Sequence, residues 1–338
     1  MGKIKLGLMG FGEIGRNLYN YCLEDDRFEV VVISDIGRPE ILHYLLVSHS
    51  KVKSEVRLEG NYLISNNGKS RMVHGIAPGH VPWDAFGVDF VVDATGKYQS
   101  KADMQAHLDA GAKRVILSFL PKDEIDNIVV VGVNDHTIKA TDRMISPGSA
   151  TTNASAILLK ILDDAFGVDY ATLTAIHEYT ADQPLRDLAG KDFRRSRSAA
   201  QNIIPNSSPS TRWLPYILPG LVGRVEGTAL NVPVPSGTLL DLNTFLRKPV
   251  AGLEEVHAAV SERAAAIPHV LKVENDPIVS SDVIGDSHSV IYDVKAAMKS
   301  SGKIVKTMSW FHSAASIPAR IKELILAYNE LDKKGGVQ

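Results

Sequence analysis

Ile4-Lys5-Leu6-Gly7-Leu8-Met9-Gly10-Phe11-Gly12-Glu13-Ile14-Gly15 decides how the first half of the chain folds. An apolar-rich run ends in glycines spaced G-x-G-x-x-G, and the helical pattern of Asn17 to Leu23 follows at once. The stretch reads as strand, tight turn and helix. Gly10 permits the turn, Gly12 lets a pyrophosphate approach the backbone, and Gly15 lets helix pack closely on strand; the free N–H groups of the helix start suit an anion. Phe28 to Ser34 is a second β-branched run, ending at Asp35, twenty residues beyond Gly15. A carboxylate there accepts hydrogen bonds from adenine ribose hydroxyls and repels a 2′-phosphate. The turn is therefore expected to hold NAD rather than NADP, through Gly10, Phe11, Gly12, Glu13, Ile14, Gly15 and Asp35.

Further runs at Val88 to Val92, Val115 to Leu117 and Ile128 to Val133 alternate with helical stretches such as Lys101 to Ala110, the rhythm of a mostly parallel sheet. Asp93-Ala94-Thr95-Gly96 and Leu117-Ser118-Phe119 end two of these strands. Ligands of such sheets sit at that edge, which makes Thr95, Gly96 and Ser118 candidate cofactor contacts. Near the C-terminus Ile321, Leu324, Ile325, Tyr328 and Leu331 recur at helical spacing after Pro318, predicting a helix that packs on the first domain.

Composition narrows the function classes. The 338 residues, 44% hydrophobic and 22% charged, suit a globular chain of about two domains. With 37 basic and 39 acidic side chains the net charge is -2, so no global field favours nucleic acid or an anionic membrane, and neither is expected as a partner. No apolar run approaches the ~18 residues of a bilayer span. The start lacks a cleavable leader, which makes the cytoplasm the expected location. One cysteine allows no internal disulfide and no cysteine-based metal site; Cys22, in the apolar stretch Leu18 to Leu23, reads as packing. No metal is expected.

The second half carries a series of motifs: Ser149-Ala150-Thr151-Thr152-Asn153, Ile176-His177-Glu178-Tyr179-Thr180-Ala181-Asp182-Gln183, Lys191-Asp192-Phe193-Arg194, Gln201-Asn202-Ile203-Ile204-Pro205, Val232-Pro233-Val234-Pro235 and Asp276-Pro277-Ile278-Val279-Ser280-Ser281-Asp282. In this order they resemble the phosphorylating glyceraldehyde-3-phosphate dehydrogenases over nearly the whole chain. The resemblance implies an α/β fold: a Rossmann-type dinucleotide-binding domain, residues 1–149 with a C-terminal helix at about 316–334, plus an α+β catalytic domain with a mixed or antiparallel sheet, residues 150–315. It also implies that NAD, a small aldehyde and inorganic phosphate are the partners. The segment Asp182 to Ile203 resembles the family's S-shaped loop, which lines a neighbour's cofactor site and implies a homotetramer.

By the same resemblance, Ala150 stands where the family keeps a nucleophilic cysteine at the start of a helix, whose free N–H groups stabilise a thiolate. His177 is the matching acid–base residue, shuttling the proton as a thiohemiacetal forms and collapses by hydride transfer. Thr180 and Asp182 match the substrate-phosphate site, and Ser149, Thr151 and Arg194 the attacking-phosphate site. Ser208 and Asn231 complete the expected substrate contacts, and Ser313 falls at the position that grips the nicotinamide carboxamide. Several of these depart from the family pattern. Asn231 replaces an arginine, Pro209 removes a backbone N–H, Ser313 replaces a longer asparagine, Glu13 replaces an arginine, and Phe119 is bulkier than usual.

The expected activity is NAD-dependent oxidation of a small phosphorylated aldehyde, such as glyceraldehyde 3-phosphate, to an acyl phosphate through a cysteine thioester. This chain would be inactive in that reaction, because a methyl group cannot add to a carbonyl. Intact neighbours favour an introduced cysteine-to-alanine change, while Asn231 and Ser313 favour a native, catalytically silent NAD-binding protein with a regulatory or assembly role. A paralogue with another aldehyde, or with water as acyl acceptor, is the remaining alternative.

Overall fold

The computed structural model describes residues 2–49, 55–75 and 77–335. They form two compact units: the first runs to Val131, resumes from Asp135 to Gly148 and adds the chain from Ile317, and the second takes Gly132–Asn134 and Ser149–Ser316.

In the first unit the quoted opening stretch forms β1 (Ile4–Met9) and α1 (Glu13–Leu23). Then come β2 (Phe28–Asp35), α2 (Pro39–His49), β3 (Arg57–Glu59), β4 (Tyr62–Ser65) and β5 (Gly68–His74). β6 (Phe90–Asp93), α3 (Lys101–Asp109), β7 (Arg114–Leu117), β8 (Asn127–Ile128) and β9 (Met144–Ser146) complete it, with most of the chain-terminal helix Ser313–Gly335. The sheet order is β3-β4-β5-β2-β1-β6-β7-β9-β8. From β5 through β8 every pairing is parallel, and β4 alone runs against the rest, antiparallel to both β3 and β5. Leu6, Leu8, Val91, Val92, Val115 and Ile116 are fully buried, as strands covered on both faces require, which is why these strands read as apolar runs rather than alternations. Strand order reverses at β1 between β2 and β6, the point where such sheets open a ligand crevice.

Two expectations need correcting here. Of the run Ile128 to Val133 only Ile128 is strand, as the second residue of Asn127–Ile128; Val129 and Val130 are fully buried, but the chain then turns at Gly132, whose φ is +82°. The run is apolar for burial, not for pairing. The terminal helix starts at Ser313, five residues ahead of Pro318. A proline this near a helix start forfeits one backbone bond and the rest of the helix continues.

The second unit contains α4 (Ala150–Phe166), β10 (Val168–Glu178), β11 (Ile204–Ser207), α5 (Ser210–Ile217), β12 (Val225–Val232), β13 (Thr238–Leu246), α6 (Leu253–Ala266), β14 (Leu271–Glu274), β15 (Val290–Ser301) and β16 (Ile304–Phe311). Its mixed sheet has the order β11-β12-β10-β13-β16-β15-β14. β13 and β16 alternate buried with half-buried residues, because one face packs inward, where α4 is buried along most of its length. The central strands β10 and β12 pair in parallel, with His177 opposite Asn231. That register brings two distant motifs together.

Candidate active site

The glycine turn of the first unit is built by close approach. A Cβ on Gly10, whose φ is +90°, would lie 2.7 Å from the backbone of Ala94 and Thr95. One on Gly15 would overlap the Gly10 carbonyl oxygen, whereas Gly12 faces open space. Gly12 caps α1 without a side-chain hydrogen bond, leaving the first N–H groups of the helix for an anion. Asp35 holds this turn: its Oδ2 accepts the Phe11 N–H at 2.6 Å and its Oδ1 the Gly37 N–H at 2.7 Å. Phe11 offers no free group, since its ring is fully buried edge-on against Tyr19 and its carbonyl accepts Arg16 Nη1 at 3.0 Å. Burial lowers the pKa of the Arg16 guanidinium, opposed by the Glu13 and Asp35 carboxylates. Glu13 is exposed and Ile14 half-buried.

Thr95 and the exposed Gly96 follow β6, and Ser118 follows β7, its N–H bonded to the Asp93 carbonyl at 2.9 Å. The buried hydroxyls of Ser34 and Ser118, both at the carboxyl edge of the sheet, lack hydrogen-bond partners. Buried hydroxyls are normally satisfied. An anion-ready helix start, a carboxylate at the end of β2 and orphaned hydroxyls together fit a dinucleotide.

In the second unit a cleft of about 180 Å³ is lined by Ser149, Thr151, His177, Thr180, Ser208 and Asn231, all expected from sequence, and by Arg195, Asn206 and Ser210, which were not. Ser149 caps α4, its Oγ accepting the Thr152 N–H at 3.1 Å and lying 3.1 Å from Ser210 Oγ. Ala150, 5% exposed, sits in the first helical turn between two lining residues. His177 pairs its Nδ1 with the Glu178 carbonyl at 2.7 Å; a carbonyl only accepts, so Nδ1 carries a proton, and in the neutral tautomer this leaves the lone pair on Nε2. The same carbonyl accepts Asn231 Nδ2 at 3.3 Å. The Glu178 carboxylate, 3.6 Å from His177 Nδ1, accepts the buried Thr238 hydroxyl.

Asp182 joins the site indirectly. Its Oδ1 accepts the Thr180 hydroxyl at 2.5 Å and its Oδ2 accepts Arg195 Nη2 at 2.5 Å. Arg194 lines a neighbouring groove with Asp192, Phe193, Pro205, Asn206, Ser207 and Thr228 instead. Nothing in the residue pattern separates the two adjacent arginines. Ser313 begins the terminal helix, half-buried. Among the described residues no group of three or more His, Cys, Asp or Glu could hold a metal ion, and no helix is long and apolar enough to cross a membrane.

Comparison with known proteins places this geometry. Residues 149–313 match the family model described as glyceraldehyde 3-phosphate dehydrogenase, C-terminal domain, and residues 4–101 its NAD binding domain. The chain is 37% identical over 337 residues to glyceraldehyde-3-phosphate dehydrogenase 1 of Bacillus subtilis, covering 98% of this chain and 99% of that one. The chain belongs to the glyceraldehyde-3-phosphate dehydrogenase family. It is also 38% identical to the glyceraldehyde-3-phosphate dehydrogenase of Mycobacterium avium and 37% identical to that of Geobacillus stearothermophilus, each over 95% of this chain and 97% of the relative.

Proposed function

We propose that this family member is an NAD-dependent oxidoreductase scaffold for glyceraldehyde 3-phosphate, with residues 1–149 and 316–334 holding NAD and residues 150–315 holding the aldehyde. As written it lacks the thiol that turnover requires. The observation that carries the reading is the His177 ring, fixed at Nδ1 by the Glu178 carbonyl so that the neutral ring has its lone pair on Nε2, in the same cleft as the capped start of α4.

With cysteine at 150, the helix start stabilises the thiolate and His177 Nε2 takes the thiol proton. The thiolate adds to the aldehyde carbon. The backbone N–H at 150 and the imidazolium stabilise the resulting oxyanion, which takes the proton from His177 Nε2 to give the thiohemiacetal hydroxyl; the same nitrogen, neutral again, removes that proton as the thiohemiacetal collapses to a thioester. Bound NAD supplies the hydride acceptor. Inorganic phosphate, held by Ser149, Thr151 and Ser208, with Arg195 or Arg194 balancing its charge, attacks the thioester and releases acyl phosphate and thiol. Thr180 and Asn231 then face the phosphate of the substrate itself. With Ala150 the first addition fails, and no later step follows.

A second reading, a silent NAD-binding protein, is favoured by the Asp182–Arg195 pair, which cancels a cation of the cleft. One experiment separates the two. The Ala150→Cys variant is mixed with NAD, glyceraldehyde 3-phosphate and phosphate while NADH absorbance is followed. Phosphate-dependent NADH formation supports the dehydrogenase; binding of NAD with no turnover on any short aldehyde supports the silent protein. The reading extends to a cytoplasmic homotetramer, supported by Leu185, Leu188, Phe193 and Ile203 of the 182–203 loop, all largely exposed in the single chain. Light scattering that returns the mass of a single chain would refute it.

A further inference from the structure

We propose that His107 is a positioning residue for NAD, acting through Asp93 on the Thr95-Gly96 turn; the inference rests on the NAD reading of the first unit. Asp93, at the end of β6, is fully buried. Its Oδ1 accepts both the Thr95 N–H at 2.9 Å and the Thr95 hydroxyl at 2.6 Å, and Thr95 Oγ1 in turn accepts the Lys97 N–H at 3.1 Å. One carboxylate oxygen thus sets the turn that carries Thr95 and Gly96 into the crevice.

The other oxygen faces only histidine. Asp93 Oδ2 lies 3.5 Å from His107 Nε2, both side chains are fully buried, and neither atom has a hydrogen-bond partner. A carboxylate out of reach of water is tolerated when a polar group faces it. His107 comes from α3, which a capping box anchors: Ser100 Oγ accepts the Asp103 N–H and Asp103 accepts the Ser100 N–H at 3.0 Å.

Trp83 fixes which nitrogen of His107 meets Asp93. Its Nε1–H lies 3.1 Å from His107 Nδ1. An indole only donates, so Nδ1 carries a lone pair and the ring proton sits on Nε2, toward Asp93. The indole is itself clamped on β1, where a Cβ on Gly7 would lie 2.6 Å from its ring. Gly7, Trp83, His107, Asp93 and Thr95 therefore form a continuous chain of contacts from the strand before the glycine turn to the turn after β6. An apolar side chain at 107 would leave Asp93 Oδ2 facing no polar group and would strip the buried Trp83 N–H of its acceptor, so the imidazole serves both neighbours at once.

The test is NAD titration by calorimetry on the full chain, with unfolding midpoints measured alongside. His107→Leu should weaken NAD binding about tenfold, since Asp93 Oδ2 then faces no polar group and the carboxylate no longer holds the Thr95-Gly96 turn in place. His107→Gln, whose amide N–H can reach Asp93 as Nε2 does, should recover most of it, whereas His107→Asn, which can copy only Nδ1, should not. Trp83→Phe, which frees the tautomer without touching Asp93, should weaken NAD binding a few-fold and keeps the test open should His107→Leu not fold. Parent-like affinity in folded His107→Leu, or equal loss in His107→Leu and His107→Gln, overturns the inference. Absence of NAD uptake by the unsubstituted chain would overturn the cofactor reading itself, which separates the two failures.

Discussion

Substituting alanine at Gly12 and at Gly15 should separate ligand contact from packing within one turn. Both lie in the same six-residue glycine motif, yet their surroundings are opposite. Gly12 has φ of −66° and ψ of −163°, a conformation open to any residue, and an added Cβ meets nothing within 4 Å. The folded chain should lose only about 0.5 to 1 kcal/mol, the difference between glycine and alanine at a helix N-cap. Gly15 lies inside α1, so alanine gains about 0.8 to 1 kcal/mol of helix propensity. Its Cβ would, however, overlap the Gly10 carbonyl oxygen, a backbone atom held in turn by Gly10's own contact with Ala94 and Thr95. Overpacking against an atom that cannot swing away costs roughly 1 to 3 kcal/mol or more. Packing wins, and Gly15→Ala should be less stable by about 1 to 2 kcal/mol.

Binding should invert the ranking per unit of stability lost. A methyl at Gly12 stands where the pyrophosphate must approach the helix start, displacing one or two charge-assisted hydrogen bonds and weakening NAD about ten- to a hundredfold. Urea titration gives the stability of each variant and calorimetry its affinity for NAD. Parent-like NAD affinity in Gly12→Ala would refute the placement of the anion at this helix. Parent-like stability in Gly15→Ala would refute the claim that helix and strand are in close contact there.

Three further expectations concern the second unit. In an Ala150→Cys background, Asn231→Arg should lower KM for glyceraldehyde 3-phosphate at least tenfold, since it adds a charge-assisted contact beside His177; an unchanged KM in steady-state assays would point to Arg195 as the phosphate ligand. Thr238→Val should destabilise by about 1 to 3 kcal/mol in urea, because it strips the buried Glu178 carboxylate of its hydroxyl donor; a neutral effect would show that Glu178 is satisfied without it. The hydrogen bond that His288 Nδ1 donates to Asp286 Oδ1, 2.5 Å away, raises the His288 pKa above its ordinary value. Its stabilising contribution is complete below the unfolded histidine pKa of about 6.5 and is lost as pH rises through the higher folded value. Asp286→Asn should therefore destabilise by a few tenths to about 1 kcal/mol at pH 5.5 and by less at pH 9; equal urea midpoint shifts at the two values would refute the coupling.

What could be read ahead of the structure was whatever is encoded locally. The strand, glycine turn and helix of residues 4–23 fall within one another's reach along the chain, and each glycine there has a steric reason of its own. Asp35 was legible as a carboxylate at the right distance, but not its grip on the Phe11 N–H, which depends on the register of β1 with β2. Arg194 and Arg195 could not be separated, because neighbouring side chains of an irregular loop diverge by a backbone rotation that composition does not record. One lines the groove of Asn206 and Ser207, and the other meets Asp182. Glu178 and Thr238 are sixty residues apart and meet only through the pairing of β10 with β13. Trp83, His107 and Asp93 likewise come from a loop, a helix and a strand, and neither Trp83 nor His107 belongs to a motif.

The polar groups of the cleft largely satisfy one another. Ser149 caps α4 and meets Ser210, Thr180 and Arg195 close on Asp182, and Asn231 and His177 share the Glu178 carbonyl. None of these bonds needs a thiol at 150, where alanine is moreover a good helix former and is already buried. The geometry that would activate a nucleophile is thus stable without one. It follows that exchanging sulfur for hydrogen at this position should leave the fold and the cleft intact in either direction, so that Ala150→Cys changes chemistry alone. A large change in stability on that substitution would mean that position 150 helps to hold the cleft together, and that any gain in turnover could not be credited to the thiol.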